Sequence, residues 1–379
     1  MATTVCLSAS TFNYPQGGGH RWVYLNWALG LLANGCRVIW LESVSPNAPL
    51  ERGLANLEAL QRDLEPFGLG ASVALCSTSA QPLPRELTSA CVELEAAFAA
   101  DLLLNLRYGT HPAVVARFRR RALIDIDPGL LQVWLSQGRI AIPPHDIYFS
   151  TGETVGRPDA CFPDGGLNWL YAPPCVALDA WPLHAAPPDA AYTTVSHWNM
   201  GEGMYDVDGV EAYANDKRIG FLPFLDLPRD APCRLELALC LAPEENAERA
   251  MLRARGWSVL EAWEVAATPD AYRTYIRRSR GEFSCVKPSC VRLQNAWISD
   301  RSLCYLASGK PVVAEHTGPS RFLPDAEGIL RFRHLDEALA MLRAAEADYD
   351  RHCRAARALV EERFDARKVV RVILQRAIA

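Results

Sequence analysis

The segment from residue 281 to residue 318, GEFSCVKPSCVRLQNAWISDRSLCYLASGKPVVAEHTG, constrains the fold more than any other part of this 379-residue chain. Ser299 is a suitable N-cap, the run Leu303 to Ala307 continues a helix, and Gly309 ends that helix. A short apolar strand at residues 311–314 follows the glycine. A helix, a glycine turn and a buried strand in this order are typical of an α/β domain.

The first turn of the predicted helix suits an anionic ligand. The first N–H groups of a helix have no partner inside it, so those near Ser302 would face an incoming phosphate. The segment therefore favours binding of a nucleoside diphosphate. The ASGKPVV string is less specific by itself, because any helix, glycine turn and buried strand in an α/β domain can look similar.

These residues resemble the carboxy-terminal domain of two-domain nucleotide-sugar glycosyltransferases with the GT-B fold. In that family a helix followed by a small residue, Gly, any residue, Pro, Val and Val closes the donor site. The resemblance implies an α/β fold with two Rossmann-like domains that face each other across an interdomain cleft. It also implies transfer of a sugar from a nucleotide diphosphate sugar, as co-substrate, to an acceptor hydroxyl or similar nucleophile, with no further cofactor.

The length and the order of predicted elements agree with two domains. The chain opens with a βαβ pattern that ends in a strand at residues 37–42, and a helix is predicted over residues 87–99. The segment 156–189 is rich in Pro and Gly and leads to a hinge near residue 190. We predict an acceptor-side domain at residues 1–190, a nucleotide-sugar donor domain at 191–365, and a carboxy-terminal helix at 366–379. In the resembled family such terminal helices often pack back on the first domain.

Composition excludes several classes of partner. The net charge of −5 and the pI near 6.0 give no reason to expect nucleic-acid binding, and the RFRRR run at residues 117–121 is more typical of a solvated helix face. No apolar stretch approaches the ~20 residues that span a membrane, so we expect a cytoplasmic protein. The twelve cysteines are scattered without zinc-ligand spacing, so we expect no metal site. We expect the acceptor to be a small molecule or a glycan.

A second candidate site is the loop YPQGGGH, which lies between the first strand and the first helix. It is neither a GxGxxG fingerprint nor a Walker loop, which weakens oxidoreductase and NTPase interpretations. In the resembled family this loop contacts the donor or the acceptor, which implies donor contacts for Gly18 and Gly19. Some inverting members carry a catalytic His there, so the resemblance places His20 as the base.

A base at His20 needs a carboxylate to orient the imidazole and to stabilise its charged form. The resemblance favours Asp127 for this role, with Asp125 as a second candidate. The alternative is that His20 packs at the start of the first helix and that Asp127 only begins a turn with Pro128 and Gly129.

Further donor-binding candidates lie in the second half of the chain. Cations there can balance the charge of the leaving diphosphate without a metal, and Glu282 can hydrogen-bond a ribose or a donor sugar. The cations, and Glu282 too, can instead be ordinary solvated charges, and His316 can be structural. The candidates besides Glu282 are Lys217, Lys287, Asp300, Arg301, Ser302, His316 and Thr317.

One departure from the family bears on mechanism. Many retaining members carry two glutamates separated by seven residues, and Cys304 stands near the position of the second. The absence of this pair favours an inverting transferase, and the cations named above favour transfer without a metal. Two alternatives stay open: a sugar-nucleotide epimerase of related fold, and a nucleotide-binding scaffold that has lost catalysis.

Overall fold

Two large sheets organise the part of the chain that the computed structural model describes, residues 2–199, 204–206, 212–242 and 245–378. The first sheet is wholly parallel, in the order β3-β2-β1-β4-β5-β6-β7. Its strands are β1 (Thr4–Ala9), β2 (Arg37–Val44), β3 (Val73–Ser77), β4 (Leu102–Asn105), β5 (Arg121–Asp125), β6 (Ile147–Ser150) and β7 (Trp169–Tyr171). The helices between them are α1 (Gly18–Ala33), α2 (Leu50–Leu64), α3 (Arg85–Thr88), α4 (Leu94–Phe98), α5 (Pro112–Val115) and α6 (Leu130–Ser136).

The second sheet follows the same plan in the order β12-β11-β8-β13-β14-β16-β15, with only β15 antiparallel to its neighbour. Its strands, and the hairpin β9-β10 beside it, are β8 (Tyr192–His197), β9 (Met204–Asp206), β10 (Ala212–Ala214), β11 (Leu235–Cys240), β12 (Ser258–Glu261), β13 (Gly281–Ser284), β14 (Val312–Glu315), β15 (Ala326–Glu327) and β16 (Ile329–Phe332). The helices are α7 (Lys217–Phe221), α8 (Asn246–Ala254), α9 (Ala262–Val265), α10 (Pro269–Arg278), α11 (Pro288–Leu293), α12 (Asp300–Ala307), α13 (Leu335–Ala347), α14 (Tyr349–Arg363) and α15 (Ala366–Ala377).

Strands whose residues are mostly buried form the centre of both sheets. In β1, five of six residues are buried, and β4 and β13 are buried throughout, as expected for parallel strands covered by helices on both faces. Each sheet starts from a central strand and places its neighbours on either side, which is the doubly wound arrangement. The predicted α/β class with two Rossmann-like units is therefore confirmed.

The last helix returns to the first sheet. Helix α15 packs along α1, where Gly30 leaves no room for a side chain: an added Cβ would lie 2.7 Å from Val370 and 2.8 Å from the Ala366 carbonyl oxygen. Asn34, which follows α1, donates its side-chain amide to the Arg367 carbonyl at 3.0 Å. The division at residue 190 stays a prediction; it falls between β7 and β8. Ala379 lies outside the described residues.

Two local predictions were wrong. Residues 87–99 do not form one helix, because the Val92 N–H donates to the Val73 carbonyl at the start of β3 and so separates α3 from α4. The RFRRR run is not a helix face either. It is a bend that leads into β5, and Arg120 in it donates from Nε to the Ala377 carbonyl at the end of α15, at 2.8 Å.

Candidate functional site

A cleft of about 620 Å³ lies between the two sheets. The loop after β1 and the start of α1 form one wall, with His20 in it. The other wall is built at the carboxyl ends of the second sheet, with His197 ending β8 and Cys240 ending β11, and from the start of α12. In parallel α/β sheets this edge is where ligands bind.

Helix α12 begins where the sequence predicts. The Ser299 hydroxyl accepts a hydrogen bond from the Arg301 N–H at 3.2 Å, which confirms the N-cap, and Gly309 after the helix has a φ of 71°. Asp300 and Arg301 line the cleft. The amino-terminal end of α12, where its dipole is positive, therefore faces the cleft between the sheets.

Arg301 and Glu282 form a buried pair. Arg301 donates from Nε to Glu282 at 2.6 Å, from one terminal nitrogen to the Val195 carbonyl at 3.0 Å, and from the other to the Ser284 hydroxyl at 2.6 Å. The Glu282 side chain is fully buried. The two predicted donor-binding groups are therefore paired with each other, and Arg301 also hydrogen-bonds strands β8 and β13. Glu282 is not a solvated turn residue.

Lys217 and Lys287 supply the cationic charge of this wall. Lys217 is the first residue of α7, whose N-cap Asp216 accepts from the Ile219 N–H at 2.9 Å. Its ammonium donates to the Cys285 carbonyl at 2.5 Å. Burial, and then the charge of Arg301, lower the pKa of Lys217 to about 8. Both lysines line the cleft, so an anion here would meet two ammonium groups.

Packing between the two units requires glycine at two positions of the loop. The Gly18 N–H donates to the Ala266 carbonyl at 3.1 Å, and a Cβ on Gly18 would lie 2.2 Å from the Thr268 carbonyl oxygen. A Cβ on Gly19 would lie 2.6 Å from the Tyr272 ring. Both glycines line the cleft, but contact with the second sheet's helices explains why no side chain fits.

The predicted pair of His20 and Asp127 is not formed. His20 Nε2 lies 2.7 Å from the Ser10 carbonyl oxygen, so a backbone group orients the ring. Asp127 follows β5, donates its N–H to Asp125 at 2.9 Å, and is not among the described residues that line the cleft. Asp125 is a buried acceptor for Gln132 and Ser150 as well, at 2.8 and 2.7 Å. These aspartates order the end of β5.

Asp300 is the one carboxylate among the described residues that line the cleft. Burial raises the pKa of Asp300, while Arg301 and, more weakly, His20 act in the opposite direction. Electrostatic interaction across the cleft therefore couples His20 with Asp300, a residue predicted only as a donor-binding group.

His316, Thr317 and Ser302 lie outside this cleft. His316 Nδ1 accepts from the Gly318 N–H at 3.0 Å, and burial, then Arg331, lower the pKa of His316 to about 4. The Thr317 hydroxyl donates to the Trp297 carbonyl at 2.6 Å. Ser302 is buried and faces a small adjoining cavity of about 20 Å³. The side chains of His316 and Thr317 therefore order the loop that follows β14.

Hydrogen bonds hold the two units together beside the cleft. The buried Glu153, which follows β6, accepts from the Ser320 hydroxyl at 2.6 Å and from Arg321 Nε at 2.8 Å. Asn295 donates to the Pro128 carbonyl at 2.8 Å. The loops that precede α12 and follow β14 are therefore fastened to the first sheet.

His197 and Trp263 line the cleft and were not among the residues predicted from the sequence. Tyr14, the first residue of the predicted glycine loop, has its ring centroid 6.1 Å from that of His20 and 5.6 Å from that of His197. Burial, then His20 and Lys287, lower the pKa of His197. Trp263, 43% exposed, lines the cleft just after β12. His197 and Trp263 stand at the carboxyl ends of strands, and that position was the available signal.

Among the described residues, no group of three or more His, Cys, Asp or Glu side chains is placed to hold a metal ion. Within the same residues, no helix combines the length and the apolar character needed to cross a membrane.

Neither the protein-family models nor the curated protein sequences give a match to this chain. Solved structures do match over its full length. An alpha-glucosyltransferase in complex with UDP is 11% identical, with 100% of each chain covered and a TM-score of 0.60. HepE of Anabaena, in complex with UDP and glucose, is 10% identical, with 99% of each chain covered and a TM-score of 0.58.

Sucrose-phosphate synthase from Thermosynechococcus elongatus is also similar, at 11% identity, with 98% of each chain covered and a TM-score of 0.55. At such low identity the likeness is one of architecture, and these neighbours are glycosyltransferases with two facing α/β units. The order of strands, the cleft and the full-length similarity lead to one conclusion: the chain has the GT-B fold.

Proposed function

We propose that this protein is a glycosyltransferase that moves a sugar from a nucleoside diphosphate sugar to an acceptor hydroxyl. The observation that carries the proposal is the cleft itself, in which His20 on one wall faces Lys217, Lys287 and the start of α12 on the other. Structural neighbours in complex with UDP support the donor class. The acceptor would approach from the first unit and the donor would lie on the second.

The diphosphate of the donor would lie at the start of α12. Lys217 and Lys287 would balance its charge, and the positive end of the α12 dipole would favour its anionic oxygens. Trp263 offers an exposed ring on the same wall, on which a nucleobase can stack. Leaving-group charge would then be stabilised without a metal ion.

His20 is the proposed base. With Nε2–H donating to the Ser10 carbonyl, Nδ1 is unprotonated and can take the proton from the acceptor hydroxyl as it attacks the anomeric carbon. The negative charge of Asp300 would stabilise the imidazolium that forms. One displacement of this kind inverts the anomeric configuration, and Cys304 in place of a glutamate agrees with that outcome.

The first experiment measures thermal shifts with UDP, dTDP, GDP, ADP and CDP, each with and without magnesium, because a ligand of the native state raises Tm. We expect one nucleotide to stabilise the protein without magnesium, and Lys217→Met to remove that effect. Arg52→Met, an exposed change on α2, is the matched control. Absence of any response would contradict the proposal.

Stereochemistry is tested on the product. With the nucleotide identified, the matching nucleotide sugars are screened with acceptors, and NMR of the new glycosidic bond gives its configuration. An anomer opposite to that of the donor is expected. A retained configuration would remove His20 as a base for a single displacement while leaving the transferase in place.

A non-catalytic scaffold is the second candidate, because His20 has a carbonyl partner where a carboxylate was predicted. Such a protein would bind the nucleotide in the thermal-shift experiment and would neither transfer nor hydrolyse the sugar. Transfer that is lost in His20→Ala would exclude it.

A further inference from the structure

The outer side of α15 combines positive charge with exposed apolar groups. Residues 363–378 contain five cations and one acid, a net charge of +4 in a chain whose net charge is −5. Lys368, Val372 and Arg376 are spaced four apart, so they share one side of the helix. Val372 is 49% exposed and Ile378 is 43% exposed. This surface is here named the basic face.

An apolar groove of about 170 Å³ opens beside the basic face. It lies between α15 and the end of β7, with Phe149, Val369 and Ile373 along its walls and floor. These three side chains are almost fully buried. The cations Arg363, Lys368 and Arg376 stand around the groove. A narrow apolar cavity with a cationic rim is complementary to an amphiphile that carries an anionic head group.

Within the described residues, Arg363 is paired with Glu362 at 2.8 Å and Arg367 with Asp179 at 3.0 Å, whereas Lys368 and Arg376 have no carboxylate partner. Lys368 donates to a backbone group, the Glu361 carbonyl, at 2.7 Å. For Arg376 and Arg119, both exposed, the described part of the chain supplies no carboxylate within ion-pair distance. Arg120 brings the RFRRR run against the end of α15, so Arg119 extends the same surface. The positive charge is therefore available to an external anion.

We propose that the basic face binds the surface of a membrane that contains anionic lipid, with lipid phosphates on the cations and apolar chain segments against Val372 and in the groove. Exposed apolar side chains among cations are stabilised when they are buried in the interface of a membrane. A nucleic acid backbone offers no apolar region in which they could be buried. The aromatic rings of the groove are also withdrawn: Phe149 is buried and Tyr171 stacks on Phe322 at 5.6 Å. A nucleic acid would find no exposed ring there on which to stack.

The test is co-sedimentation of the full chain with vesicles of phosphatidylcholine alone and of phosphatidylcholine with phosphatidylglycerol. Binding is expected only with the anionic lipid and is expected to weaken as salt is added. Each cation near an anionic surface contributes about 1 kcal/mol, so Lys368→Gln with Arg376→Gln should lower the partition coefficient roughly 30-fold. The apolar contribution to binding does not depend on salt, so Val372→Asn should weaken the binding that is still measured at high salt.

The matched control carries the same loss of charge elsewhere. Arg52→Gln with Arg343→Gln changes two exposed cations on α2 and α13 and should leave vesicle binding unaltered. All four substituted cations are exposed, and thermal melts verify that each variant is folded. Equal binding to both vesicle types, or equal binding by the Lys368→Gln, Arg376→Gln variant, would overturn the proposal. The proposal would also be overturned if the unaltered protein bound single-stranded RNA but not vesicles, and if the Lys368→Gln, Arg376→Gln variant no longer bound the RNA.

Discussion

Replacing Glu282 by Gln is expected to destabilise the second unit strongly, because it leaves the Arg301 guanidinium without its counter-charge. Glu282 is fully buried and Arg301 is 12% exposed by side chain, so water cannot replace the lost carboxylate. Removing one partner of a buried ion pair costs about 3–5 kcal/mol. In the unaltered protein Arg301 Nε donates to Glu282 at 2.6 Å, and the side-chain oxygen of Gln could still accept this hydrogen bond. We therefore expect a loss of stability at the lower end of this range.

The magnitude converts to a measurable change in Tm. Unfolding entropy is about 2.1 cal/mol/K per residue, so for roughly 175 residues of the second unit a loss of about 3 kcal/mol lowers Tm by roughly 8 °C. Differential scanning calorimetry and urea denaturation both report it. Among the described residues, Glu282 Oε2 has no hydrogen-bond partner, so the buried pair carries a desolvation cost that a variant without both charges would not have.

A double-mutant cycle isolates the pair. Arg301→Met leaves a buried, unpaired Glu282, so adding Glu282→Gln to it should recover stability that the single variants lose. The expected coupling is about 2 kcal/mol or more. A change below about 0.5 kcal/mol in Glu282→Gln, or additive single effects, would refute the reasoning that this pair holds β8, β13 and α12 together.

Three further outcomes follow from the cleft. His20→Ala should lower turnover about 10²–10⁴-fold while the affinity for the nucleotide identified by thermal shift, measured by calorimetry, stays unaltered; normal turnover would exclude His20 as the base. Because burial lowers the pKa of Lys217 to about 8, its ammonium is present below this pH and lost above it, so the affinity for that nucleotide should fall about tenfold between pH 7 and pH 9. Lys217→Met should remove this slope, and an affinity that rises with pH would contradict the role. Gly18→Ala places a Cβ 2.2 Å from Thr268 and should cost about 1–3 kcal/mol in urea denaturation, whereas Gly109→Ala, with open space around it, should be near neutral.

Local signals in the sequence predicted where α12, which contributes to the second wall of the cleft, begins and ends. Ser299 caps α12 and Gly309 ends it in the left-handed region, as their residue types require. The short strand predicted at residues 311–314 forms as β14 (Val312–Glu315), one residue further along the chain. These features depend on residues within a few positions of one another, so one sequence is enough to find them.

Long-range contacts decided the role of the glycine loop. The triplet suggested an approach to phosphate, yet Thr268 and Tyr272, some 250 residues away, occupy the space where side chains of Gly18 and Gly19 would stand. Likewise, helix propensity over residues 87–99 yielded to a hydrogen bond from Val92 to Val73 on the neighbouring strand. Sequence patterns contain no direct record of such neighbours.

The sequence by itself determined the α/β class, the two sheets and the helix terminus at Ser299, because periodicity, caps and turn residues act locally. Only the tertiary structure decided which charges face the cleft. It paired Glu282 with Arg301 inside the second unit and oriented His20 through the Ser10 carbonyl. It also placed Asp300, not Asp127, among the residues that line the cleft with His20. Side-chain partners across more than one element depend on how helices and sheets pack, and packing is a property of the whole fold.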